Sequence, residues 1–275
     1  MKCAWKQLQT ILPPQIGMQL DSVAMERLQE LRLRVNAPPE LNMGGKSVWL
    51  NGTVGKEGLE YVINMACRYS PWCAGTMAQG FLTAPGGHRI GICGEAIEKN
   101  GVPAGFRSIS SLCIRIARDF PGIAGQAACG DGSVLIVGAP GWGKTTLLRD
   151  LARLISKEHS VCIVDERGEL FPEGLERGNR LDILTGIPKP VGIGMVLRAM
   201  GPEYIAVDEI TAEADCIGIL NAANCGVRLL ATAHAVSIQD LRKRDIYRTL
   251  MEKGVFQTLL LLRRDKSFRV ERMAL

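Results

Sequence analysis

Four short apolar runs punctuate the second half of the chain: Val134-Leu135-Ile136-Val137, Val161-Cys162-Ile163-Val164, Tyr204-Ile205-Ala206-Val207 and Val227-Arg228-Leu229-Leu230-Ala231. Runs of this length without alternation suit strands buried on both faces of a parallel sheet. Helix-forming stretches separate them. Residues 146–154 form one, 211–224 a second with acidic Glu213 and Asp215 early and Gly226 past its end, and 237–254 a third. The third opens on a Ser237-Ile238-Gln239-Asp240 capping pattern and stops at Gly254. A last hairpin, 255–262 with 268–273, closes the sheet. Strands alternating with helices predict an α/β domain of RecA-like type.

The first half has a different texture. Val23, Leu28, Leu31 and Val35 fall near helical spacing, with Glu26, Arg27, Glu30 and Arg34 elsewhere on the surface, so 21–35 is expected to be a helix ended by Asn36-Ala37-Pro38-Pro39. A strand over 46–51 and a helix over 59–68 follow. From Gly80 onward come short strands and Gly-rich turns. Phe81-Leu82-Thr83 and His88-Arg89-Ile90-Gly91-Ile92-Cys93 flank Ala84-Pro85-Gly86-Gly87, and Lys99-Asn100-Gly101 marks a second hairpin. In 106–116, Leu112, Ile114 and Ile116 share one strand face while Arg107, Cys113 and Arg115 share the other. The expected organisation is an α+β domain over 1–125, a glycine-bearing linker within 122–132, and the α/β domain over 126–275.

The chemistry lies at the ends of the buried strands. Gly138-Ala139-Pro140-Gly141-Trp142-Gly143-Lys144-Thr145-Thr146 fits the phosphate-loop pattern between a strand and a helix. Its glycines let successive N–H groups wrap a phosphate, Lys144 reaches the β- and γ-phosphates, and Thr145 holds Mg²⁺. The next buried strand ends in Asp165-Glu166-Arg167-Gly168-Glu169, and the third in Asp208-Glu209. An apolar strand closed by Asp-Glu downstream of a phosphate loop places Asp208 on Mg²⁺ through water and Glu209 on the attacking water. Thr232-Ala233-His234 reaches the same edge, where His234 is a candidate γ-phosphate sensor. A further strand between the phosphate-loop strand and the Asp-Glu strand separates this arrangement from kinases and small GTPases. ATP and Mg²⁺ are the expected ligands, with motion as the output of hydrolysis.

Composition narrows this only slightly. The 275 residues are 47% hydrophobic and 22% charged with a net charge of +5, a mildly basic balance that allows nucleic acid or an acidic membrane surface without requiring either. Aromatics make up 5%, too few for the basic–aromatic interleaving that stacks single-stranded bases, which speaks against nucleic acid. Nine cysteines form no Cys-x-x-Cys pair, and Cys113, Cys162 and Cys216 sit in apolar runs, the pattern of packed thiols in a reducing, cytosolic compartment. The first ten residues carry Lys2 and Lys6 without the apolar core of a signal peptide, and the longest apolar stretch, at 258–262, is far short of a membrane span.

With these residues in view, the chain resembles the ATPases of secretion and pilus retraction. Asp165-Glu166-Arg167-Gly168-Glu169 resembles their acidic box, Leu197-Arg198-Ala199-Met200 their Leu-Arg element, and Ala231-Thr232-Ala233-His234-Ala235 their His box. Closer still is the stage III sporulation protein AA family of endospore-forming bacteria. That resemblance rests on Leu31-Arg32-Leu33-Arg34, on Gly80-Phe81-Leu82-Thr83 with Gly86-Gly87-His88-Arg89-Ile90-Gly91, and on Arg107-Ser108-Ile109-Ser110. It extends through Gly143-Lys144-Thr145-Thr146-Leu147-Leu148-Arg149-Asp150 and Val207-Asp208-Glu209-Ile210.

The resemblance implies a homo-oligomer, a hexameric ring, peripheral at the mother-cell face of a membrane. Its partners would be the channel components of the sporulation secretion complex, which links mother cell and forespore, with ATP hydrolysis driving that channel. It also implies that first-domain arginines, among Arg89, Arg107 and Arg115, close on the phosphates. The chain departs from the secretion enzymes at Trp142, where a small residue is usual, at Met200-Gly201-Pro202, which lacks a basic residue, and at Asp208, commonly Gly. The division of work between Glu166 and Glu209 is open at this stage. A RecA-like nucleic-acid motor and an ATP-binding structural switch are the competing readings.

Overall fold

The computed structural model describes residues 2–3, 5–21, 27–68, 77–127, 132–172 and 175–273. The chain divides into two compact units, Met1–Asp119 with Pro172–Leu175, and Phe120–Phe171 with Glu176–Leu275.

The first unit opens with β1 (Lys2–Cys3) and helices α1 (Trp5–Ile11) and α2 (Pro14–Leu20). It continues with β2 (Glu30–Arg34), β3 (Glu40–Asn42), β4 (Ser47–Trp49) and α3 (Lys56–Cys67). Strands β5 (Phe81–Thr83), β6 (Arg89–Lys99), β7 (Val102–Arg115) and β8 (Arg118–Asp119) complete it. Six strands form an antiparallel sheet in the order β4-β3-β2-β7-β6-β5, and β1 pairs with β8. The two expected hairpins are present. Asn100 and Gly101 at the β6–β7 turn have φ values of 54° and 76°, the left-handed conformation such a turn requires.

The helix expected over 21–35 is instead β2 over its last third, while 22–26 lie outside the described residues. The reason is the period. Leu31 and Leu33 are fully buried, whereas Arg32 and Arg34 turn to the opposite face and pair with Glu30 and Glu40 at 2.9 and 2.7 Å. A two-residue alternation satisfies both sets, where a helix would spread the arginines around its circumference. Helices α1 and α2, which sequence reasoning left unassigned, add Leu8, Ile11, Ile16 and Leu20 to the same core.

The second unit contains β9 (Val134–Val137), α4 (Lys144–Ile155), β10 (Val161–Asp165), β11 (Leu181–Thr185) and α5 (Lys189–Ala199). It ends with β12 (Tyr204–Val207), α6 (Glu213–Asn224), β13 (Arg228–Ala233), α7 (Ile238–Lys243), α8 (Asp245–Glu252), β14 (Thr258–Leu262) and β15 (Phe268–Arg272). The sheet order is β11-β10-β12-β13-β9-β14-β15, parallel except for β15. Strand β13 lies between the phosphate-loop strand β9 and the Asp-Glu strand β12, as expected.

Alternate residues of each strand feed two cores. Leu135, Val137, Ile205, Val207, Leu229 and Ala231 pack on one face. Val134, Ile136, Tyr204, Ala206 and Leu230 pack on the other, with Leu147, Leu148 and Leu151 of α4. The helix expected over 237–254 is two helices. Ser237 caps the first, accepting from the Asp240 amide at 3.1 Å, and Arg244, with φ −92° and ψ 119°, breaks it from the second. Cys162 and Cys216 are buried, and burial pushes both thiols up to about 11.

The tail of the phosphate-loop helix organises the unit. Asp150, 4% exposed, accepts hydrogen bonds from the amides of Gly122 and Ala124 at 3.0 and 2.8 Å and from Arg153 at 2.8 Å. The stretch 122–127, read from sequence as part of a linker, is thereby docked on α4, with Ala124 and Ala127 buried; 128–131 lie outside the described residues. Arg149 donates to the Glu169 carbonyl at 3.0 Å and to the Leu170 carbonyl, holding the loop that follows β10.

Candidate nucleotide site

Four of the parallel strands, β9, β10, β12 and β13, lead at their C-terminal ends into the candidate residues, at the edge where an open α/β sheet binds its ligand. Gly143 stands at the N-cap of α4 with φ 100°, and Gly141 has φ 74°, so the loop's backbone takes conformations that favour glycine. A Cβ at Gly138 would sit 3.0 Å from the Leu262 Cβ, which fixes how closely the loop approaches β14. Ala139 and Pro140 continue the loop. Thr145 and Thr146 follow Lys144 in the first turn of α4.

Lys144 is 6% exposed, and its Nζ donates to the Ala139 carbonyl at 3.2 Å across the loop. Burial pushes its ammonium below the ordinary lysine range, opposed by the charges of Glu209 and Asp208. The Thr145 hydroxyl donates to Asp208 Oδ2 at 2.9 Å, and the Thr232 hydroxyl donates to Asp208 Oδ1 at 2.7 Å. Glu209 has φ 35°, a left-handed conformation that costs a non-glycine residue roughly 1–3 kcal/mol. Its amide donates to Thr232 Oγ1 at 2.8 Å and to Asp208 Oδ1 at 3.0 Å, which hold that conformation. His234 Nε2 lies 3.4 Å from Glu209 Oε1. Thus Thr145, Asp208, Glu209 and His234, chosen from sequence, come together in one network, and Lys144 lies within the electrostatic reach of its two carboxylates.

The acidic segment after β10 divides its labour. Asp165 is buried and accepts from the amides of Glu169 and Leu170 at 3.1 and 2.7 Å, so it shapes the turn. Glu166 is exposed and lines a cleft of about 90 Å³ together with Thr145, Glu169, Lys189, Asp208 and Glu209. Its Oε2 receives Lys189 Nζ at 3.0 Å, and Lys189 also lies 3.8 Å from Asp215. A cation in the first turn of a helix opposes the helix dipole, so the two carboxylates explain why Lys189 stands there. Asp215 in turn accepts from the amides of Thr211 and Ala212 at 2.9 and 3.2 Å.

Sequence reasoning missed four contributors. Lys189 follows an unassigned strand, and only the Pro188-Lys189-Pro190 helix start could have drawn attention to it. Thr232 is a fully buried hydroxyl in an apolar strand. Tyr247 of α8 is 4% exposed, donates to the Ile210 carbonyl at 2.9 Å and accepts from the His234 amide at 3.3 Å, fixing the backbone on both sides of the network. Lys266, in the β14–β15 turn, donates to the Gly141 carbonyl of the phosphate loop.

Other residues stand apart. Trp142 is partly buried against the core beneath α4. Arg198 lies in the last turn of α5, whereas Lys189 at the other end lines the cleft, roughly 14 Å away along the axis. In the first unit, Arg89 and Arg115 are cross-strand partners, with Arg89 4.5 Å over the Phe81 ring and Arg115 3.5 Å from Glu30. Arg107 pairs instead with Glu95 at 2.7 Å, beyond the register shift that skips Ser110 in the β6–β7 pairing.

The chain matches the model of the family described as "Sporulation stage III, protein AA" over residues 5–271. The chain belongs to that family. Stage III sporulation protein AA of Bacillus subtilis (strain 168) is 38% identical over 256 residues, covering 87% of this chain and 83% of the relative. Among solved structures, the Legionella pneumophila ATPase DotB superposes with a TM-score of 0.60 at 18% identity, over 95% of this chain and 80% of that one. The pilus retraction motor PilT with bound ADP superposes with a TM-score of 0.63 at 12% identity, over 88% and 76% of the two chains. These structural likenesses establish the RecA-like fold shared with secretion ATPases. Among the described residues, no helix is long and apolar enough to cross a membrane.

Proposed function

We propose that the protein is a Mg²⁺-dependent ATP hydrolase that powers the assembly or operation of a mother cell-to-forespore channel during endospore formation. The observation that carries the chemistry is the chain from Thr145 through Asp208 and Thr232 to Glu209, built within hydrogen-bond distance of itself beside a buried Lys144. The channel role rests on family membership, and a hexameric ring working with membrane channel components is the assembly that goes with it.

The residues fit ATP and Mg²⁺. Thr145 Oγ1 and Asp208 Oδ2, 2.9 Å apart, are hard oxygen donors of the kind that hold Mg²⁺ together with phosphate oxygens and water. Mg²⁺ there neutralises charge on the transferring phosphoryl group. Lys144 binds the phosphates, and their arrival offsets the desolvation that now weakens its charge. Glu209, adjoining this network, orients a water and takes its proton, while His234 beside it reports the γ-phosphate. Glu166 is held by Lys189 and supports the water from the opposite side of the cleft. Of the two glutamates, Glu209 is therefore the main base.

The direct test is phosphate release by the full chain with ATP and Mg²⁺, with and without EDTA, alongside the particle mass. The expected result is EDTA-sensitive turnover by a six-fold particle. ATP binding without turnover, even with the membrane partners present, would leave the structural-switch reading, and single-strand binding with a steep salt dependence would favour a nucleic-acid motor.

Lys189 gives a finer prediction. Lys189→Met leaves Glu166 and Asp215 without their shared cation, so kcat is expected to fall about tenfold, equivalent to ~1.4 kcal/mol, with nucleotide affinity near wild type. Lys189→Arg should recover part of the loss. Steady-state turnover and nucleotide titration of the two variants check it.

A further inference from the structure

The first unit carries a second concave site, remote in chemistry from the phosphate loop. A cleft of about 450 Å³ opens where β2 begins and β3 turns into β4, lined by Arg27, Gln29, Met43, Gly44, Lys46 and Arg118. Among the described residues that line it, three of six are cations and none is a carboxylate. The contrast with four arginines on the strands of the same unit is what makes this informative. Arg32, Arg34, Arg107 and Arg115 each have a carboxylate within 3.5 Å. Among the described residues, Arg27, Lys46 and Arg118 have no such pair.

The cleft is also preformed. Arg118 Nη2 donates to the Leu28 carbonyl at 2.9 Å, which holds the guanidinium in place. The turn that carries Lys46 is locked: Asn42 Oδ1 accepts from the amides of Gly44 and Gly45 at 3.1 and 3.2 Å, and the Met43 amide donates to the Lys46 carbonyl at 2.8 Å. Cations gathered around one cavity repel one another until an anion enters, and guanidinium and ammonium donors together suit the several oxygens of a phosphate.

We propose that this cleft binds a phosphate group, carried either by a lipid headgroup or by a free phosphate compound. Both sources present the same chemistry to Arg27, Lys46 and Arg118. The lipid source has a local correlate. Val48 and Trp49, 45% and 55% exposed, follow Lys46 on the same hairpin, and an exposed tryptophan beside cations suits the headgroup boundary of a bilayer.

The experiment uses the full chain in two arms. In the first, sedimentation is measured with phosphatidylglycerol vesicles and, as control, phosphatidylcholine vesicles. In the second, inorganic pyrophosphate is titrated calorimetrically in a Lys144→Ala background, so that the phosphate loop does not contribute. At least one arm should show saturable binding that weakens with salt, and Arg27→Gln with Lys46→Gln should weaken it tenfold or more at an unchanged unfolding midpoint. The single charge reversal Lys46→Glu should give the same direction. Trp49→Ala separates the sources: loss of vesicle binding assigns the lipid, and retained pyrophosphate binding without vesicle binding by the parent assigns the free compound. The proposal is overturned if neither probe binds, or if the double variant binds within twofold of its parent. ATP turnover is read separately, because either result here is compatible with an active or an inactive phosphate loop.

Discussion

Glu209→Gln is expected to lower kcat for ATP hydrolysis by 10²- to 10⁴-fold, roughly what a positioned general base contributes, while nucleotide still binds. The reason is local. The backbone of Glu209 is held at φ 35° by its amide's bonds to Thr232 and Asp208, and the glutamine amide keeps the shape of the side chain. What disappears is the proton acceptor. Lys144→Ala fails differently: it removes the buried cation of the loop itself, so phosphate affinity collapses along with turnover. Fluorescent-nucleotide titration and phosphate release on the two variants separate these outcomes. Wild-type rates in both would remove the hydrolytic reading of this site, and a severe kcat loss in Glu166→Gln with a mild one in Glu209→Gln would exchange their roles.

Asp150→Ala is expected to destabilise the second unit by about 3 kcal/mol, because a buried guanidinium and two amides lose their acceptor at once. Asp150 receives Gly122, Ala124 and Arg153 and is 4% exposed, so no water replaces it without opening the core. For a unit of this size the unfolding midpoint should fall by roughly 6–12 °C. Asp150→Asn, which keeps an acceptor oxygen but not the charge, should fall between the two. Thermal unfolding followed by circular dichroism decides it, and a midpoint within a degree of wild type for Asp150→Ala would show that the 122–127 segment is held by its buried alanines alone. The Arg149-Asp150 tail of the phosphate-loop motif thus has a structural meaning: one residue ties down the loop after β10, the other the segment before β9.

Much of the second unit was legible because each of its buried strands is an apolar run that ends in a polar residue at the ligand edge. Val134–Val137, Val161–Asp165 and Tyr204–Val207 carry that signal in a few consecutive residues. Strand β11 lacked it, since Leu181-Asp182-Ile183-Leu184-Thr185 is half-exposed at the sheet edge, and α5 went unassigned with it. Lys189 was invisible for that reason. In the first unit, the helix-like spacing of Leu28, Leu31 and Val35 competed with the two-residue alternation of Leu31 and Leu33. Cross-strand pairing with β3 and β7 settled the conflict.

By itself the sequence pointed to a nucleotide as the ligand class and to the strand ends expected to meet it, because phosphate loops and Asp-Glu strand ends need particular residues at fixed local spacing. Only the tertiary structure decided which of those residues work together. Asp165 became a turn cap, Glu166 a partner of Lys189, and Glu209 the carboxylate beside His234, through contacts between residues up to 63 positions apart, as for Thr145 and Asp208. The unpaired cations around the first unit's cleft belong to the same class of fact. Arg27, Lys46 and Arg118 are separated along the chain, and nothing short of the folded sheet brings their charges to one cavity.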